Sequence, residues 1–279
     1  MDKQLFFCFG LAKSGTTFLQ KMLDLHPDVA CPAEHEFNYL FDATKSILAQ
    51  YEGVIKDIAR RTGGQNIIPL DATLHMKIFR CTVGNIIYES AQGKSIVGVN
   101  DNGIIWKLDL YNQLFDAPRL IAIFRNPIDR AISAWHHNIM LAEEENEPGH
   151  VEVMNRHGGF EGWVRFCARR FALAVQACVN FNAGHDNLLL LRYEDLKIEK
   201  RENLIKLFSF LGASTDENII TDIIGKSSLE AMREASTRKE FFRSGNTDMG
   251  LGVVSDTLRA EVSHIAGSAL EVLGYDIFQ

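Results

Sequence analysis

The sequence predicts an α/β fold, a central parallel sheet with helices on both faces. Three observations point to it. Short β-rich runs alternate along the chain with stretches of helical apolar spacing. Two of the runs, LIAIF at 120–124 and LLLL at 188–191, are apolar throughout, as strands covered on both faces are. The first apolar run leads through a turn bearing two glycines into a helical pattern, the opening of a strand–turn–helix unit.

Taken in order, the first strand is Leu5–Phe9. The helix after it lies in TTFLQKMLDLHP, where Phe18, Leu19, Met22, Leu23 and Leu25 fall near one face and Pro27 lies just past the end. Further strands are expected at Ile67–Leu70, Ser95–Val99, Leu120–Phe124 and Leu188–Arg192. A helix is expected to open at Pro127, since proline is pre-set for the first helical position. Residues 142–159, acidic and carrying Pro148 and three glycines, read as a surface excursion or as a flap over a site. No composition break divides the chain, so residues 1–279 read as one domain.

The net charge of −7 argues against a general nucleic-acid coat, so an anionic ligand needs a local basic site. The first apolar run, Leu5 to Leu11, is too short to span a membrane and lacks the marks of a signal peptide. The five cysteines include no CxxC pair, which reads as reduced thiols in a cytoplasmic setting. No His, Cys or Asp cluster has metal-ligand spacing.

The turn after the first strand carries the chemistry. Gly10 and Gly15 have the spacing of a phosphate-cradling loop, but a Walker loop would next supply lysine. Here Thr16 and Thr17 follow, and the lysine sits inside the turn as Lys13. Backbone N–H groups of residues 13 to 17, with the hydroxyls of Ser14, Thr16 and Thr17, would face an anion at the helix N-terminus. The GKS at 93–95 lacks the glycine that would open a Walker loop.

GLAKSGTTFL resembles the 5′-phosphosulfate loop of the sulfotransferases, P-K-S-G-T-T, with Ala12 at the customary proline. The resemblance implies a P-loop-like fold and 3′-phosphoadenosine 5′-phosphosulfate (PAPS) as sulfuryl donor. It places Lys13 at the oxygen bridging phosphate and sulfate, and Ser14, Gly15, Thr16 and Thr17 about the 5′-phosphate. Charge develops on that bridging oxygen as the S–O bond breaks, so a fixed ammonium there favours the transition state, and no magnesium clamp is required.

Four more segments resemble the family in its order. FRNPIDRAIS places Arg125 and Ser133 where the family binds the 3′-phosphate, a task suited to a guanidinium fork and a compact hydroxyl. LLLLRYEDL implies Tyr193 beside the adenine, and IIGKSSLEAM implies Ser227 and Ser228 near the adenosine, with Leu229 replacing a phenylalanine. FFRSGNTDMG resembles the loop that closes on the 3′-phosphate; Arg243 and Gly245 match, and Ser244 replaces a lysine.

The general base is less determined. The cytosolic branch places a histidine after a middle strand, where this chain reads IVGVNDNGI and offers Asp101. The tyrosylprotein and heparan branches use a glutamate, and LDLHPDVACPAEHEF aligns it with Glu34, with His35 and Glu36 as neighbours in reserve. His75, His136 and His137 read as structural or rim residues. The resemblance implies an acceptor hydroxyl on a sugar, small metabolite, peptide or hydroxyacyl chain on an acyl carrier protein. The chain would then be free-standing or one domain of a synthase. The rival readings are a P-loop kinase or NTPase, with Asp71 holding magnesium, and a non-catalytic nucleotide-binding module.

Overall fold

The computed structural model describes residues 3–64, 70–144, 149–234 and 252–277. Five strands form one parallel sheet in the order β2-β3-β1-β4-β5. In chain order the elements are β1 (Gln4–Gly10), α1 (Thr16–Asp24), β2 (Val29–Ala30), α2 (Phe37–Arg61), α3 (Leu74–Glu89), β3 (Ile96–Asn100) and a 3-10 helix (Asn102–Trp106). They continue with α4 (Leu108–Leu114), β4 (Arg119–Phe124), α5 (Pro127–Glu144), α6 (Gly149–Arg156), α7 (Gly159–Asn182) and β5 (Leu188–Arg192). The chain ends through α8 (Tyr193–Ile198), α9 (Lys200–Leu211), α10 (Glu217–Lys226), α11 (Leu229–Glu234) and α12 (Asp256–Leu273).

The alternation of strand side chains sets the two cores. Phe6, Cys8, Ile121 and Ile123 face α1, α9 and α10, with Leu19, Met22, Leu207 and Phe208 packed against them. Phe7, Phe9, Leu120, Ala122 and Phe124 face the other way, onto Phe79, Tyr111, Phe171 and Leu270 from α3, α4, α7 and α12. A third cluster joins α5, α6 and α7 through Ile128, Met154 and Trp163.

Four of the five expected strands are present. Of Ile67–Leu70, only Leu70 is described, and it belongs to no strand. The strand not foreseen is β2, whose two residues are too few to show any periodicity. The helix expected at Pro127 is α5; Asn126 caps it, its Oδ1 accepting from the Ile128 N–H at 3.0 Å. Of the 142–159 stretch, residues 145–148 lie outside the described set, 142–144 finish α5, and 149–156 form α6, held by the fully buried Met154.

This strand order positions the site. The chain leaves β1 toward the β2 side and leaves β4 toward β5, so a crevice opens beyond the C-terminal ends of β1 and β4. The Gly10–Thr16 turn lies at that crevice.

Candidate active site

The phosphate loop is built by two close approaches. A Cβ on Gly10 would lie 2.5 Å from the Ile123 carbonyl oxygen, so only glycine lets β1 run this near β4. Gly15 holds φ at 93°, and a Cβ there would lie 2.4 Å from Cδ2 of Tyr193. The Tyr193 ring is thus packed directly on the loop. Lys13 also adopts a positive φ, 70°, a conformation that side chains resist and that functional loops tolerate.

The loop is made to receive an anion. Gly15 caps α1 without a side-chain bond, and no acidic residue lies in the first turn, so the first amides of α1 stay available. The Ser14 hydroxyl is buried and has no hydrogen-bond partner, an unmet polar group that a ligand oxygen would satisfy. Thr16 is buried beside it. These residues fit a phosphate group.

The base candidates converge on the same end of the sheet. Glu34 bridges to Asn100 at the end of β3, and the backbone N–H of His35 donates to the Asn100 carbonyl at 2.7 Å. The Glu34 side chain is exposed, with its Oε1 accepting from the Asn102 amide at 2.8 Å. Partial desolvation raises its carboxyl above the ordinary value; Glu36 and Asp101 add to the rise, and Lys13 opposes it. The His35 ring stacks on Phe37, centroids 4.7 Å apart.

Asp101 is differently employed. It is fully buried, and its two oxygens accept from the Phe37 and Gly103 N–H groups, each at 2.9 Å. Burial raises its carboxyl, while those two backbone bonds pull the other way.

Arg125 directly follows β4 in a buried position, its guanidinium carbon 4.9 Å from the Tyr193 ring centroid. Ser133 lies half-buried on α5. Ser227 closes α10, its hydroxyl donating to the Ile224 carbonyl at 3.3 Å, and Ser228 accepts from the Ala231 N–H at 3.1 Å. The Lys200 ammonium donates to the Ser227 carbonyl at 3.2 Å and lies 5.9 Å from the Phe18 ring centroid, which links these serines to α1. Arg243, Ser244 and Gly245 lie outside the described residues. His75 packs its ring on Phe41, as a structural histidine does.

The structure also adds residues that the sequence did not single out. Asn102 accepts from the Gly10 N–H at 3.2 Å and donates to Glu34 Oε1 at 2.8 Å. Arg130 donates to the Cys167 carbonyl at 3.0 Å and reaches the Ala12 carbonyl at 3.4 Å, tying the loop to α7. Glu194 accepts from the Asn126 N–H at 2.9 Å and the Tyr275 hydroxyl at 2.7 Å. The run of amides and an acid at 100–102, just past a buried strand, was the one available signal for Asn102.

Comparison with known proteins decides the family. The sulfotransferase-domain family model matches residues 3–249. The chain belongs to the sulfotransferase family of enzymes. Comparison with curated protein sequences found no match. Among solved structures, mouse sulfotransferase SULT7A1 complexed with PAP superposes with a TM-score of 0.56 at 16% identity, covering 98% of this chain and 88% of that one. A sulfotransferase from Alicyclobacillus acidocaldarius gives 0.53 at 17%, covering 99% and 98%. The sulfotransferase domain from the curacin biosynthetic pathway gives 0.55 at 17%, covering 99% of each chain. At these identities the likeness is one of fold. Among the described residues, no helix of this sulfotransferase is long and apolar enough to cross a membrane.

Proposed function

We propose that this chain transfers the sulfuryl group of PAPS to an acceptor hydroxyl by in-line displacement, with Glu34 as general base. The observation that carries the reading is that Asn102 fastens the Glu34 carboxylate to the Gly10 N–H, at the start of the loop that bears Lys13 and the buried, unpartnered Ser14 hydroxyl. Lys13 comes from the loop after β1 and Glu34 from the loop after β2. When the donor is bound, the loop amides with Ser14, Thr16 and Thr17 hold its 5′-phosphate. Lys13 neutralises the charge that grows on the departing phosphate oxygen. Glu34 takes the acceptor proton as the new O–S bond forms, and adenosine 3′,5′-bisphosphate (PAP) leaves.

Arg125 and Ser133, with Arg243, Ser244 and Gly245, are assigned to the 3′-phosphate. Tyr193, Ser227 and Ser228 are assigned to the adenosine side. The PAP held by the mouse enzyme of like fold supports this choice of donor. Glu34 is preferred to Asp101 because both Asp101 oxygens already accept backbone N–H groups. It is preferred to His35 because that ring stacks on Phe37. Lys13 supplies the charge that a metal clamp provides in phosphoryl transfer, so the reaction is proposed to proceed without added metal. Asp71, the residue a magnesium-dependent rival would need, sits exposed before α3, paired with Lys77 and accepting from the Thr73 N–H.

The acceptor is a hydroxyl of a sugar, a small metabolite, a peptide or a carrier-bound hydroxyacyl chain. The last is included because a domain from the curacin pathway shares the fold. The reduced thiols support a cytoplasmic setting. The direct contest is between nucleotides. PAP is expected to raise Tm while ATP with magnesium leaves it unchanged, and the reverse would overturn the reading. Labelled PAPS offered to each acceptor class then identifies the substrate.

A further inference from the structure

We propose that Asn102 is a positioning residue for sulfuryl transfer, its side-chain amide locking the Glu34 carboxylate to the start of the phosphate loop. The inference rests on Glu34 as the base. Glu34 belongs to neither a helix nor a strand of the sheet; among the described residues its backbone is tied near Asn100, through the Glu34 bridge and the His35 N–H. A carboxylate on such a segment needs an outside hold to meet a proton at a fixed place.

Asn102 opens the 3-10 helix just past β3 and spans the gap. The Gly10 N–H, at the end of β1, is a donor that cannot change its role, and it occupies Asn102 Oδ1 at 3.2 Å. With the oxygen end committed, the nitrogen end is the one turned to Glu34, and it donates to Oε1 at 2.8 Å. The same backbone that begins the phosphate loop therefore sets the orientation of the base through one side chain.

That donated bond also favours the charged, proton-accepting form of Glu34. It acts with Lys13 against partial burial and against the negative charges of Glu36 and Asp101.

The test separates a donor role from mere space-filling. Asn102→Asp is nearly isosteric and keeps an acceptor for the Gly10 N–H, but it replaces the donor facing Glu34 with a carboxylate oxygen. Glu34 is followed by carbon-13 NMR titration of glutamate-labelled protein, its signal assigned by loss in Glu34→Gln; this readout needs no acceptor. The Glu34 midpoint is expected to rise by about one unit or more in Asn102→Asp, and by less in Asn102→Ala. With any acceptor found by labelled PAPS, kcat at neutral pH is expected to fall about tenfold or more, with KM for PAPS within about twofold and the PAP-induced Tm rise retained.

A midpoint and kcat equal to wild type in Asn102→Asp would overturn the proposal. If Asn102→Asp fails to take up PAP, Asn102→Ala carries the same comparison. Full transfer by Glu34→Gln would remove the base reading and this inference together. An inactive Glu34→Gln beside an unmoved Glu34 midpoint removes the role of Asn102 alone.

Discussion

At the scale of single residues, the site depends on charges held where solvent is partly excluded. Glu34 binds its proton more tightly than a free glutamate, chiefly because of burial, with Glu36 and Asp101 adding to the effect. A general base works only when deprotonated. The acid limb of kcat/KM is therefore expected above the ordinary glutamate value of about 4.3, and a limb at or below about 4 would contradict the assignment. The same shift has a stability consequence of definite sign. A carboxyl raised on folding costs stability once pH exceeds its unfolded value, and the full cost is present above its folded one. Glu34→Gln is thus expected to lose transfer while keeping, at pH 8, a Tm no lower than wild type, as thermal melts would show. Gly15→Ala should behave in the opposite way. Its Cβ meets the Tyr193 ring at 2.4 Å and its φ of 93° disfavours a side chain, so a loss of about 1–3 kcal/mol is expected. That appears as a Tm lower by about 2–4 °C per kcal/mol, together with a weaker response to PAP.

At the scale of elements, Asp101 shows how a polar residue at a strand end can look catalytic and act as a joint. Its oxygens open α2 and the 3-10 helix, and its own N–H donates to the Cys8 carbonyl at 2.9 Å. Asp101→Ala removes two caps at a cost of about 1 kcal/mol each and should lower Tm by several degrees, measured by calorimetry. Asp101→Asn, which keeps one acceptor oxygen, is expected to retain transfer; abolished transfer at an unchanged Tm would instead make Asp101 the base. This distinction was closed to the sequence, because it depends on which N–H groups the fold delivers to each carboxylate. The strands β1, β3, β4 and β5 were legible because burial on both faces writes itself as a continuous apolar run. The phosphate loop was legible because its donors are consecutive in the chain. Asn102 was not, since its partners Gly10 and Glu34 lie far from it in sequence. The 25 residues of α2 also went unforeseen. Only its first turns are packed, through Phe37, Leu40 and Phe41, while Ile47, Tyr51, Val54 and Ile58 stay exposed, so its apolar residues beyond those turns mark no buried face.

At the scale of the whole molecule, loops from distant parts of the chain are fastened to one another behind the crevice. Arg130 ties the phosphate loop to α7, and Arg192 donates to the Gly274 carbonyl at 2.7 Å, joining β5 to the end of α12. Glu194 is the central fastening. It is buried, and it holds both the Asn126 N–H beside Arg125 and the hydroxyl of Tyr275, beyond α12. The segment that follows the last helix is therefore connected, through one carboxylate, to the turn that sets Arg125. Tyr275→Phe tests this connection with little change in volume. It leaves a buried carboxylate oxygen without its donor, which costs about 1–3 kcal/mol. The expected result is a Tm reduced by about 2–4 °C for each kcal/mol, accompanied by a several-fold loss of PAP affinity measured by calorimetric titration. A reduced Tm with unchanged PAP affinity would mean that the turn holding Arg125 is rigid without Tyr275, and that this contact serves stability only.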